Sequence, residues 1–150
     1  MNWTADKALR RPEDFQGFRI RTMTSDIAEE AYRAYGATTS QIPYSQVYSD
    51  LQLQKIDGQS NPVFAIEEID FYEVQSTLTI ARPAQFVSSV VSNLEWYNSL
   101  PDNQQHWLDN ALRDVAEIAW ETQEELNQRR LQSMREDARM SVVRLTDAGD

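Results

Sequence analysis

The run Ile56 to Gln75, IDGQSNPVFAIEEIDFYEVQ, restricts what this chain can become more than any other stretch. A short apolar strand is expected to break at Asp57-Gly58, and the chain to restart as a helix at Asn61-Pro62 that runs to Tyr72. Gly58 is free to take a positive φ, Asn61 can cap a helix through its side chain, and Pro62 suits the first helical position, where its missing N–H costs nothing. The segment therefore reads as strand, tight turn and capped helix. That order leaves the Asn61 amide at a strand's carboxyl end, the usual place for a ligand in an open α/β sheet.

The flanking sequence repeats the pattern. Met1 to Phe15 is polar and reads as an extended lead-in with a turn at Pro12-Glu13-Asp14. Phe18 to Arg21 alternates like a strand, and Thr24 or Ser25 can cap a helix through Ile27, Ala31 and Tyr32 that Gly36 ends from the C′ position. Ala37 to Ile42 forms a second strand, and Val47, Tyr48, Leu51 and Leu53 a second amphipathic helix. Thr77 to Ile80 and Phe86 to Val91 are apolar runs too short for helices, so both are expected to be strands. From Pro101 onward more than thirty residues read as helix. Trp107, Leu108, Ala111, Leu112, Val115 and Ala119 form a stripe that predicts a buried first part and a wetter second part. Met140 to Leu145 alternates again, before an acidic end expected to fray.

Composition removes several function classes. Lys and Arg number 14 against 24 Asp and Glu, and the net charge of −10 repels phosphate backbones, so nucleic acid is not an expected partner. With no Cys and one His, thiolate metal sites, disulfides and Cys-His nucleophile pairs are excluded. No apolar run approaches the ~18 residues of a membrane-spanning helix. Met1 to Asp6 lacks the basic start and apolar stretch of a signal peptide, which predicts a cytoplasmic chain if it is expressed as given. The length of 150 residues fits about one domain.

Arg21 is the leading candidate for chemistry. A guanidinium at a strand end, beside the free N–H groups of a helix start, forms a fork for a carboxylate. A surface or structural ion pair is the plainer alternative. Asn61 has two roles open to it, the helix cap and donation to the same ligand. The pairs Glu29-Glu30, Glu67-Glu68 and Glu124-Glu125 invite a two-carboxylate hydrolase reading, but adjacent helical residues diverge and a charged helix face explains them. His106 has no nucleophile or metal partner within a helical turn and reads as structural.

Three blocks carry a family resemblance. The run D-G-Q-x-N-P followed by F-Y-E-V-Q, the segment PEDFQGFRIR from Pro12 to Arg21, and NLEWYNSLP from Asn93 to Pro101 together resemble the solute receptors of tripartite ATP-independent periplasmic (TRAP) transporters, the DctP family. The resemblance runs over nearly the whole chain but covers only the family's C-terminal half, without its signal peptide and first lobe. It implies an α/β fold, periplasmic-binding-protein type II-like and incomplete. Residues 1–86 and 126–150 would form the second ligand-binding lobe, and 87–125 a crossing segment that in the family belongs to the first lobe.

The function implied is non-enzymatic binding of a small organic acid, delivered to a TRAP membrane permease in the periplasm, with no cofactor and no metal. Arg21 matches the family arginine that clamps the ligand's carboxylate, Asn61 assists, and Tyr44 falls where an aromatic ring packs on the solute, a partly buried core aromatic being the alternative. Gln59 and Asp57 match the motif and are assigned mainly to scaffolding, with Gln59 a possible secondary contact. Where many members carry a His or another polar side chain, this chain has Ala81-Arg82-Pro83. Arg82 is either a second anion contact or a solvated surface residue. Without a first lobe, Phe86, Val87, Val90, Val91, Trp96, Leu108 and Leu112 would present uncovered apolar surface, which predicts a homo-oligomer. The alternatives are a non-transporting oligomerising scaffold and, with least support, a carboxylate-based hydrolase.

Overall fold

A computed structural model describes residues 1–137 and 139–145; the acidic end expected to fray lies outside them. The chain divides into two compact units, residues 1–85 together with the stretch from Arg130 onward, and Phe86–Arg129.

The first unit is built on a six-stranded sheet in the order β3-β2-β4-β1-β5-β6. Its strands are β1 (Asn2–Ala5), β2 (Arg19–Thr22), β3 (Thr38–Gln41), β4 (Gly58–Asn61), β5 (Thr77–Ile80) and β6 (Ser141–Arg144). β1 runs antiparallel to both β4 and β5, while the β2–β3, β2–β4 and β5–β6 pairs are parallel. The expected β-α alternation is present: α1 (Asp26–Ala34) lies between β2 and β3, α2 (Val47–Gln52) between β3 and β4, and α3 (Val63–Glu68) follows β4. Ser25 caps α1 by accepting the Ala28 N–H, and Gly36 follows the helix with φ +85°.

Four expectations about this unit are corrected. The lead-in is not merely extended, because β1 occupies an interior sheet position with all four residues buried. Its Trp3 and Ala5 enter a core with Phe15, Phe18, Ile20 and Tyr32, and the Trp3 indole N–H donates to the Tyr32 hydroxyl at 2.9 Å. Gly58 is not a positive-φ turn residue. It opens β4, where a Cβ would lie 2.4 Å from the Thr4 carbonyl oxygen and 2.7 Å from the Phe18 ring, so close approach of two strands is what requires glycine. Nor does Asn61 cap the next helix: Pro62 takes the N-cap position without a side-chain bond, and the helix begins at Val63. That helix also stops at Glu68. Asp70 turns left-handed at φ 52° and leads into a 3-10 turn over Phe71–Glu73, a conformation that a short polar side chain tolerates.

A second core lies on the other sheet face, where Val47, Leu51, Ile56, Val63, Ile66, Phe71 and Leu78 pack with Met134 and Met140. Sheet alternation assigns Arg21, Gln59, Thr4 and Leu78 to this face, since they are cross-strand partners in register.

In the second unit, residues 86–91 carry no strand, against expectation, and they are exposed. An apolar run alone cannot make a strand without a partner edge. Asn93 caps α4 (Leu94–Ser99) by accepting the Trp96 N–H at 2.9 Å, and α5 extends over 35 residues, Asp102–Glu136. Its burial is the reverse of the stripe's prediction. Trp107 and Val115 are exposed and His106 is too, whereas Met134, in the last turns, is 3% exposed and Leu131 packs against the same core. Amphipathic spacing marks a face able to be buried; a packed neighbour decides whether it is.

Candidate functional site

Strand directions bring the carboxyl ends of β2, β3, β4 and β5 to one end of the sheet, together with the amino end of the reversed β1. Arg21, Asn61, Asn2 and the residues after Ile80 meet there. An end built from strand carboxyl termini is where open α/β sheets bind ligands.

Arg21 is 5% exposed. Its Nε donates to the Ile42 carbonyl at 2.8 Å, and among the described residues no carboxylate lies within ion-pair distance of its guanidinium. Burial lowers its proton affinity, opposed by Tyr44. A buried cation is ordinarily matched by a carboxylate because desolvation is costly. Among the described residues, one backbone carbonyl orients the group and no carboxylate compensates its positive charge.

Asn61 is held by a relay. Its Nδ2 donates to Gln59 Oε1, and Gln59 Nε2 donates to Thr4 Oγ1 at 2.9 Å. Gln59 is fully buried, so its amide serves Asn61 and Thr4. With one N–H consumed, Asn61 is fixed in orientation and keeps a second amide hydrogen.

Tyr44 belongs to a 3-10 turn (Tyr44–Gln46) after β3 and is 37% exposed. Its hydroxyl donates to the Ala65 carbonyl at 2.8 Å, and its ring meets Phe71 edge to face at 6.4 Å between centroids. Burial first and Glu68 second raise its hydroxyl pKa, while Arg21 lowers it, as befits a ring beside the guanidinium. The ring therefore combines a core contact with an open side. Arg82 is exposed, adopts φ 51° after β5, and lies near enough to the Met1 amino group to lower its pKa, after burial.

The other end of the sheet opens a cleft of about 370 Å³. Its charges are engaged: Arg19 pairs with Asp57, and Lys7 sits 5.2 Å from the Phe18 ring centroid. The Arg19 side chain and the Arg19 backbone N–H hold the Asp57 carboxyl below its usual range, so Asp57 joins β2 to the start of β4 and lies away from Arg21. Among the described residues no group of His, Asp or Glu could hold a metal ion.

Asn2 escaped sequence reasoning because Asn2-Trp3-Thr4-Ala5 is short and half polar, like a solvated lead-in. Strict alternation of polar and apolar residues was the available signal. Thr4, which anchors the relay, was missed for the same reason.

Residues 1–149 match the family model described as bacterial extracellular solute-binding protein, family 7, DctP. The chain is 38% identical over 118 residues to the ectoine-binding periplasmic protein TeaA of Halomonas elongata, covering 79% of this chain and 33% of that protein. It is 27% identical over 143 residues to the C4-dicarboxylate-binding periplasmic protein DctP of Rhodobacter capsulatus, 95% of this chain and 43% of that one. A solved TRAP periplasmic solute-binding protein from Marinobacter aquaeolei VT8, in an apo open form, superposes with a TM-score of 0.91 at 54% identity, over 97% of this chain and 48% of that one. The fold is thus of the type II-like periplasmic-binding class, and the chain spans less than half the length of these relatives.

Proposed function

Because this chain belongs to the DctP family of bacterial extracellular solute-binding proteins, whose named members bind ectoine or C4-dicarboxylates, we propose that it acts without catalysis and supplies one lobe of a TRAP-type receptor for a small organic acid. Arg21 holds the carboxylate, the remaining Asn61 amide hydrogen assists, and the open side of the Tyr44 ring packs on the ligand body. Residues 1–86 and 126–150 form that lobe, and 87–125 cross to the other lobe of such a receptor. The setting is periplasmic and the recipient of the solute is a TRAP membrane permease.

The observation that carries this reading is Arg21: buried, oriented by the Ile42 carbonyl and without a carboxylate partner among the described residues. A purely structural arginine at that depth would have an acidic neighbour. Gln59, whose amide is taken up within the relay, acts through Asn61. Arg82, solvent-facing at the same end of the sheet, is a peripheral anion contact. Exposed Val87, Val90, Val91, Trp96 and Leu112 in the second unit support self-association when no other surface covers them.

The test is Arg21→Lys, with binding of C4-dicarboxylates followed by calorimetry or by ligand-observed NMR at millimolar ligand. A single ammonium cannot reproduce the planar fork, so affinity should fall about ten- to a hundredfold, as expected for losing a charge-assisted bond. Unchanged affinity in the Lys variant would exclude the clamp.

A further inference from the structure

The amino end of β1 carries a polar atom that the proposed machinery does not use. Asn2 is 6% exposed, and its Oδ1 has no hydrogen-bond partner among the described residues. Asn is depleted in strands, and a buried acceptor left unpaired is costly, so a strand chosen for stability alone would place an apolar side chain here.

Register locates this atom. Asn2 pairs directly with Asn61 across β1 and β4, and Arg21 pairs with Gln59 two residues earlier on β4. Cross-strand partners and residues two apart project to the same face, so Arg21, Gln59, Asn61 and Asn2 share one face at the ligand end of the sheet. Across this row the polarity changes. β2 offers a cation, the Gln59 relay presents Asn61 as a donor, and β1 offers an acceptor. Two strand spacings separate β2 from β1, about 10 Å between backbones.

We infer that Asn2 is a second ligand-reading side chain of this site, whose carboxamide oxygen selects carboxylates that also bear a hydroxyl or N–H donor over those that bear none. This rests on the reading of Arg21 as the carboxylate clamp and adds to it the substrate class. A plain dicarboxylate satisfies the Arg21 side and leaves Asn2 Oδ1 unpaired. A hydroxylated acid of several carbons satisfies both, and a site built for a donor discriminates strongly against the analogue lacking it.

The experiment uses the ¹⁵N-labelled chain and two matched pairs differing only in hydroxyl groups, succinate with L-malate and adipate with galactarate. The Asn2 side-chain amide and the Arg21 Nε–H, which is held by Ile42, are followed during titration. The hydroxylated member of one pair is expected to shift both signals and to bind about tenfold more tightly, while its partner shifts Arg21 alone. Asn2→Leu, close in size, is expected to remove the preference, keep the Arg21 response and leave thermal stability undiminished. An Arg21 response without any hydroxyl preference, or a preference that survives in the Leu variant, overturns the role of Asn2 and leaves the clamp standing. An Arg21 signal unmoved by all four acids refutes the clamp, and this inference with it.

Discussion

Replacing Gly58 by alanine tests whether close strand approach, and not turn geometry, dictates that residue. The added Cβ would lie 2.4 Å from the Thr4 carbonyl oxygen and 2.7 Å from Phe18 Cζ, far inside ordinary van der Waals separations of about 3.5 Å. The oxygen belongs to the backbone of β1, and Gly58 pairs with Ala5 on one side and Ile20 on the other. Relief therefore requires the middle of the sheet to open. Overpacking of this kind costs about 1–3 kcal/mol, against which alanine recovers about 0.4–1 kcal/mol by restricting the unfolded chain. The net loss of about 1–2 kcal/mol corresponds, at this chain length, to a fall in Tm of about 3–8 °C. Thermal unfolding followed by circular dichroism measures it, with urea titration checking that the m-value is unchanged. A Tm equal to or above that of the parent would refute the argument, because it would mean that β1 and β4 separate freely at this point. Gly17, with φ +68° and open space around its Cβ position, is the control. Its alanine variant pays only for left-handed backbone, about 1–2 kcal/mol, and should not disturb ligand binding, whereas Gly58→Ala moves the strand that carries Gln59 and Asn61.

Burial along α5 predicts a contrast opposite to the one its stripe implies. Met134→Ala, 3% exposed in the parent, should cost about 2–5 kcal/mol, and Val115→Ser, 58% exposed, should stay within about 0.5 kcal/mol; equal losses by urea denaturation would refute this. Asp57 gives a pH signature. Its carboxyl is depressed first by the Arg19 side chain, so its contribution is present above the unfolded carboxylate pKa and is lost as pH falls through the lower folded value. Because the pair is substantially exposed, Asp57→Asn should remove about 1 kcal/mol or less near neutrality and should flatten part of the decline below pH ~4; an acid limb identical to the parent's would contradict the pairing. Sedimentation velocity at micromolar concentration should show the chain as an oligomer that shifts toward monomer when Val90 and Val91 are changed to Ser, and a clean monomer in the parent would exclude self-association.

Much of the α/β order was legible locally. Arg21 and Asn61 could be singled out because strand ends and helix starts have short-range signatures, like Ser25 before α1, Gly36 after it and the alternation in β2 and β3, whereas Tyr44 was marked by the family resemblance. Gln59 and Arg82 were visible as polar residues in the right segments, but whether each faced solvent or the interior was not. The fully buried Gln59 is satisfied by Thr4, 55 positions away, and no local pattern reports a bond across that separation. Residues 86–91 show the converse: their composition is that of a strand, yet a strand exists only where another edge accepts its backbone groups.

Sequence alone determined the periodicity of the elements, the absence of thiol chemistry, the acidic balance and the strand-end position of Arg21, since these depend on neighbours within a few residues. Only the tertiary structure decided that Met1 to Ala5 is not a lead-in but holds an interior strand, that Gly58 answers a Cβ clash, that α5 buries its end instead of its beginning, and that Asn2 joins Arg21 and Asn61 at one end of the sheet. Each depends on which segments meet across long sequence separations. Burial and hydrogen-bond satisfaction are properties of those meetings, so they follow from the packed chain and not from any window of it.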